Sequence, residues 1–282
     1  MRTRFVPVAV DQWYTRRQKD AEGDWYRKVA AQGPLNDFTS TTQGLYACTP
    51  DGKLLGYSNH RSPERTRPLL RKALEEFKPA ETAALTVPAR DPHLLASAPA
   101  GGLVVTVTSK IVDGYEKTEA AETQIFHGSM GRDVLWVLKD EHEALVRGDF
   151  PERLKQRIAR FHLIDNTRGE PAMWTAEEVK QLQLTLKDGK LTGTVRLEAD
   201  SKGRRYDTEL LGFVETKDGK VTRFDLVSRG QGFGHGGTTE VGAPKGKFTL
   251  AIAFRLASGS DEADKAMPQG AKGWVPGYTQ LR

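Results

Sequence analysis

The 282 residues include 42 Lys and Arg against 37 Asp and Glu, a net charge of +5, with 38% hydrophobic and 28% charged side chains. That length allows about two domains with a sizeable core, and no apolar run approaches the roughly 20 residues of a membrane-crossing helix; the composition therefore excludes wholesale disorder and predicts a soluble chain without a membrane span. One cysteine, Cys48, rules out an internal disulfide, a multi-cysteine zinc site and a two-thiol redox cycle within the chain.

The charge is unevenly placed. Residues 1–78 hold 14 basic and 9 acidic side chains, and the remainder holds 28 of each. The dense basic pieces, Arg16, Arg17, Lys19 and then Arg61, Arg65, Arg67, Arg71, Lys72, are interrupted by acids and spaced like the solvent faces of helices. Trp13, Tyr14, Trp25 and Tyr26 lie near enough to keep weak nucleic-acid binding by this segment as an alternative.

In chain order, Phe5 to Val10 is a β-branched run that predicts a buried strand, and Tyr14 to Ala31 predicts a helix stopped by Gly33-Pro34. Leu45 to Thr49 and Leu54 to Ser58 flank Pro50-Asp51-Gly52-Lys53 as a hairpin. Ser62, Pro63 and Glu64 open a helix whose Leu69, Leu70, Ala73, Leu74 and Phe77 share one face. Pro79, Pro88, Pro92 and Pro99 among alanines mark residues 79–102 as a linker.

The order strand, helix, hairpin, helix over residues 1–78, with Gly44 to Leu55 as a terminal hairpin, resembles thioredoxin-like domains. The resemblance implies a redox-inactive remnant. The family's Cys-x-x-Cys would precede this segment, and the position of its cis-proline falls near Gln43. Cys48, the one redox candidate, lies inside a predicted strand, where a lone thiol is usually a small core residue. A missing central strand would orphan buried amides at about 1 to 3 kcal/mol each. Hence another segment fills the slot, the pieces pack differently, or the recorded start lies inside a longer protein, which is the expectation preferred here. No secretory signal is read in the sequence as it stands, and a start upstream would make the chain extracytoplasmic.

The larger domain spans residues 103–256. Leu103 to Val112 and Val134 to Leu138 read as strands, Asp140 to Arg147 and Pro151 to Phe161 as helices, and Thr175 with Glu178 as a capping box opening a brief helix at Ala176. Then Leu182–Lys187, Leu191–Ala199, Tyr206–Thr216, Val221–Arg229 and Phe248–Leu256 predict an antiparallel meander, with Asp188-Gly189 and Asp218-Gly219 as hairpin turns. Barrel and sandwich both remain open. Residues 257–282 read as a tail docking through Trp274, Pro276 and Tyr278. The whole is α+β: a partial thioredoxin-like α/β segment before a larger β-meander domain with a few short helices.

Three groups of side chains invite chemistry. The connection from Phe161 to Trp174 packs Asp165, Asn166, Arg168 and Trp174 together and could grip a polar ligand; equally, Asp165 and Asn166 satisfy local backbone donors while Arg168 pairs with Glu170. Gly230 to Gly237 has β flanks, which refuse a phosphate cradle, and reads as a loop over the mouth of the sheet with His235 as a ligand-binding candidate. No two histidines have metal-ligand spacing, so a metal would need His127, His162 and His235 to converge. No catalytic motif or cofactor signature is found.

The reading is a non-catalytic two-domain protein that binds a partner protein or a small molecule. The enzyme alternative is a thiol redox protein with its dithiol motif encoded upstream, or a metal- or histidine-dependent hydrolase using the 162–174 loop and His235.

Overall fold

The computed structural model describes residues 4–60, 62–79, 97–117, 121–199, 203–236, 239–272 and 274–281. The chain divides into two compact units, residues 1–95 and 96–282. Most of the proline-rich linker lies outside the described residues.

The first unit contains α1 (Gln12–Thr15), α2 (Ala21–Ala30), the antiparallel pair β1 (Leu45–Cys48) and β2 (Leu54–Ser58), and α3 (Pro63–Glu76). Residues 5–10 form no strand, and Val6 and Val8 are exposed. Among the described residues no strand pairs with them, and Pro7 has no N–H to offer. The single helix expected from Tyr14 to Ala31 is two helices. Asp20 caps α2 by accepting the Gly23 N–H at 2.9 Å, which starts a new helix there, and Arg27 fastens the break through the carbonyls of Arg16 and Gln18.

The hairpin forms as expected, with Gly52 at φ 87°. Gln32 ties α2 to it, donating to the Gly52 carbonyl at 2.8 Å and accepting the Leu54 N–H at 3.1 Å. Tyr46 lies edge-on between Tyr26 and Tyr57, and the Tyr26 hydroxyl meets Thr42 Oγ1 at 2.7 Å.

The second unit is an open seven-stranded antiparallel sheet. Its strands are β3 (Leu103–Asp113), β4 (Gly131–Val137), β5 (Val179–Lys187), β6 (Lys190–Ala199), β7 (Arg204–Lys217), β8 (Lys220–Phe233) and β9 (Phe248–Leu256), in spatial order β4-β3-β9-β8-β7-β6-β5. The meander is therefore real, and β3 extends it beyond β9. Asp188-Gly189 and Asp218-Gly219 have φ of 50°, 76° and 52°, 73°, the positive pair that a two-residue type I′ turn requires.

Alternation sends Leu210, Val214, Phe224, Leu226, Ile252 and Phe254 to one face. There they pack with Leu145 of α5 (Lys139–Val146), Leu154 of α6 (Glu152–Arg157) and Ile158 of the π-helical turn Ile158–His162. Full burial is worth about 1.5 to 3 kcal/mol for each large apolar side chain, so this inner face supplies the unit's stability. Among the described residues, α4 (Ala121–Gly128) and α7 (Val275–Thr279) complete the α-helices, with short 3-10 turns at Glu262–Lys265 and Gln269–Ala271.

Three further expectations are corrected. Thr175 and Glu178 form one half of a capping box, the Thr175 N–H donating to the Glu178 carboxylate at 2.9 Å, yet β5 begins at Val179 in place of a helix. Gly230 to Phe233 belong to β8, so the glycine-rich loop starts only at Gly234. In the tail Trp274 is 71% exposed, and Tyr278 alone is the buried aromatic. Among the described residues no helix is long and apolar enough to cross a membrane.

Candidate functional site

The connection after the π-helical turn folds onto itself. Asp165 accepts the Thr167 N–H at 3.1 Å and its hydroxyl at 2.7 Å, and its other oxygen lies 2.6 Å from Arg168 Nη2. Arg168 also donates to the Thr239 carbonyl and to the Tyr115 hydroxyl. Its expected partner, Glu170, lies 3.6 Å from Lys272; the tight turn brings Asp165 to the guanidinium first. Asn166 accepts from the Ser109 hydroxyl of β3. His127 stacks on the Tyr115 ring with centroids 4.4 Å apart, and burial is the main cause that raises the Tyr115 pKa.

Trp174 donates its indole N–H to the Leu163 carbonyl at 2.9 Å and carries the Arg204 guanidinium on its face at 3.6 Å. Burial lowers the Arg204 pKa, with Glu178 opposing at 3.9 Å. Asp165, Trp174, Arg204 and His235 do share one void. It measures about 20 Å³, room for about one water molecule.

A second polar cluster pins the chain's end. His162 has Nδ1 3.1 Å from Asp133 Oδ2 and Nε2 2.8 Å from the Tyr278 hydroxyl, which also accepts the Trp136 N–H at 3.3 Å. The other oxygen of Asp133 accepts the N–H of Gln269. Beside it, Arg157 meets Glu141 at 2.6 Å and donates to the carbonyls of Trp136, Tyr278 and Thr279. The carboxylate–imidazole–hydroxyl order matches an acid–base relay, but His162 and Tyr278 are buried and burial holds the Tyr278 pKa well above its ordinary value. A neutral, enclosed hydroxyl is a poor nucleophile; the arrangement fastens α7 to the sheet.

Asp133 and Arg157 are what pattern reading missed, being far apart in the chain and following no local spacing, whereas Tyr278 docks as the tail reading expected. Among the described residues no three of His, Cys, Asp or Glu group to hold a metal ion, so His127, His162 and His235 do not assemble into one site. Cys48 lies in β1, its thiol pKa raised by burial.

The outer face of the large sheet has the opposite character. Leu211 and Val227 are register partners, 53% and 48% exposed, with Phe213 beside them at 39%. The register extends this row to Thr192, Leu211, Val227, Ala253 and Thr108 across five strands. On one side runs Thr194, Glu209, Arg229 and Ala251; on the other, Lys190, Phe213, Asp225 and Arg255. Two adjoining open grooves of about 490 and 1010 Å³ cross this face. The signal was present in sequence: Leu211, Phe213 and Val227 are out of phase with the buried alternation of their strands.

Fold and surface together define an α+β protein whose larger unit is an open antiparallel sheet, packed on one side and presenting an apolar row on the other. No protein-family model, no curated protein and no solved structure matches the chain.

Proposed function

We propose that this is a non-catalytic binding protein: a redox-inactive thioredoxin-like remnant joined to a β-rich unit that takes a protein partner on the outer face of its sheet. The observation that carries the reading is the Leu211–Val227 pair with Phe213, exposed in an open groove and rimmed by charges. An apolar centre with a polar rim is the anatomy of protein interfaces. The chemistry-bearing groups support it from the other side, since Asp133, His162 and Tyr278, and likewise Asp165 and Arg168, face one another within the protein. For the remnant, the support is the hairpin followed by a helix and a single thiol whose burial disfavours the reactive thiolate.

Site-specific photo-cross-linking of the full chain in its native host tests the reading. A photoreactive residue at position 211 or 227 should yield a discrete adduct, and one at the exposed strand end Lys217 should not. Absence of an adduct at 211 and 227, or equal labelling at 217, rejects it.

A further inference from the structure

We infer that the free edge of the large sheet, strand β5, pairs antiparallel with β5 of a second copy of this chain, joining two seven-stranded sheets into one. The surface is the rim of the sheet, so the inference goes beyond the partner proposed for the outer face and fails separately from it.

The two rims are treated differently. β4 ends the sheet on one side, and its outward backbone groups are spent. The Val134 N–H goes to the Asp133 carboxylate at 2.8 Å, the Trp136 N–H to the Tyr278 hydroxyl at 3.3 Å, and the Trp136 carbonyl accepts from Arg157 at 3.2 Å. β5 ends the sheet on the other side. Lys187 and Lys190 are partners across the two-residue turn, so their backbone groups bond to each other. Bonding direction alternates along a strand; Gln181, Gln183 and Thr185 therefore bond to β6, and Leu182, Leu184 and Leu186 turn their amides and carbonyls outward. Among the described residues nothing caps these three as β4 is capped. Such a rim is a template for another strand, which proteins ordinarily blunt with proline, charge or a cover. Leu182 to Leu186 contain neither proline nor charge.

The sequence of β5 says which strand fits. A two-fold axis perpendicular to the sheet sets Leu184 against its own copy, Leu182 against Leu186, Gln183 against Thr185 and Gln181 against Lys187. The segment reads alike in both directions, Gln-Leu-Gln-Leu-Thr-Leu-Lys, so leucine meets leucine and polar meets polar throughout, as an isologous contact requires. The hydrogen-bonding phase agrees, because the leucine pairs bring outward amides to outward carbonyls. Leu182, Leu184 and Leu186 share the inner face with their β6 partners Val195, Gly193 and Leu191, so pairing carries the apolar layer of each copy across the axis. Lys187, the one charge in the segment, meets a neutral amide; just beyond, Lys180 comes level with Asp188, opposite in sign. Moving the axis to Gln183 would set Leu186 against Lys180. Residues 79–282 hold 28 basic and 28 acidic side chains, so no net charge on this unit opposes its association.

Sedimentation equilibrium of the purified full chain tests the pairing. Wild type should be a reversible dimer with a dissociation constant in the micromolar range. Leu182→Pro/Leu186→Pro removes outward donors without removing a bond to β6 and should be monomeric. Gln183 and Thr185 are exposed, so changes there leave folding intact: Gln183→Lys/Thr185→Lys places like charges opposite each other twice and should weaken association by roughly tenfold, whereas Gln183→Glu/Thr185→Lys places opposite charges there and should hold or tighten it. Leu211→Asp/Val227→Asp, on the outer face, should leave the dimer unchanged. A monomeric wild type, a dimer indifferent to the charges at 183 and 185, or one abolished by the outer-face pair overturns the inference. None of these outcomes alters the cross-linking expected at position 211, so the binding reading is judged on its own.

Discussion

The two faces of the seven-stranded sheet, one mostly apolar and one mostly polar, treat the side chains that break their pattern in opposite ways. On the inner face even polar side chains are consumed: the Tyr206 hydroxyl meets Ser228 at 2.8 Å and the Leu250 carbonyl at 3.0 Å, and Thr208 closes the group at 2.7 Å from Ser228. On the outer face apolar groups stand unspent, Leu211 and Val227 side by side in water. Burial without partners is costly and burial with them is nearly neutral, so closed polar clusters are what folding leaves behind. Exposed apolar contacts have no folding purpose, which directs attention to them for function.

The contrast can be broken from its strongest point downward. Arg157→Met removes the partner of the buried Glu141 carboxylate and the donor to three carbonyls. It should cost about 3 to 5 kcal/mol, read as a lowered urea midpoint for the second unit. Tyr278→Phe deletes the hydroxyl shared by His162 and the Trp136 N–H and should cost about 1 to 3 kcal/mol by the same measurement.

That variant also has a pH signature. Burial holds the Tyr278 pKa above 10 in the folded chain. Below the unfolded value both states keep the proton and the contribution is complete. Above it the unfolded chain ionises first, so stability falls as pH rises toward the folded value. Urea titrations from pH 8 to about 11 should therefore show a smaller alkaline loss in Tyr278→Phe than in wild type. An equal loss would place the alkaline sensitivity elsewhere.

The smallest effects belong outside. Trp274→Ala should change stability by no more than about 0.5 kcal/mol, because its ring is mostly in water, as should Leu211→Asp measured at low protein concentration. A large loss from either would mean that an exposed residue is structural after all.

Much of this division was legible in the chain. Period-two alternation in β5 to β9 and the two Asp-Gly turns fix the meander because side-chain direction and turn twist are local properties. The strand expected at residues 5–10 failed for a non-local reason: β-branched residues only favour a strand when a neighbour supplies hydrogen bonds. The candidates Asp165, Trp174 and His235 do come together, yet the void among them is too small for a ligand. His162 and Tyr278 were each singled out for another role, but their convergence with Asp133 was beyond reach, because it is set by docking of α7, which no periodicity records. The apolar row was visible as a break in alternation, but its two halves become one patch only through the β7–β8 register.

The most direct measurement is photo-cross-linking of the full chain with the reactive residue placed at position 211, compared with the same residue at the exposed strand end 217. The account predicts a discrete adduct at 211 and none at 217. No adduct at 211, or equal labelling at both positions, would contradict it.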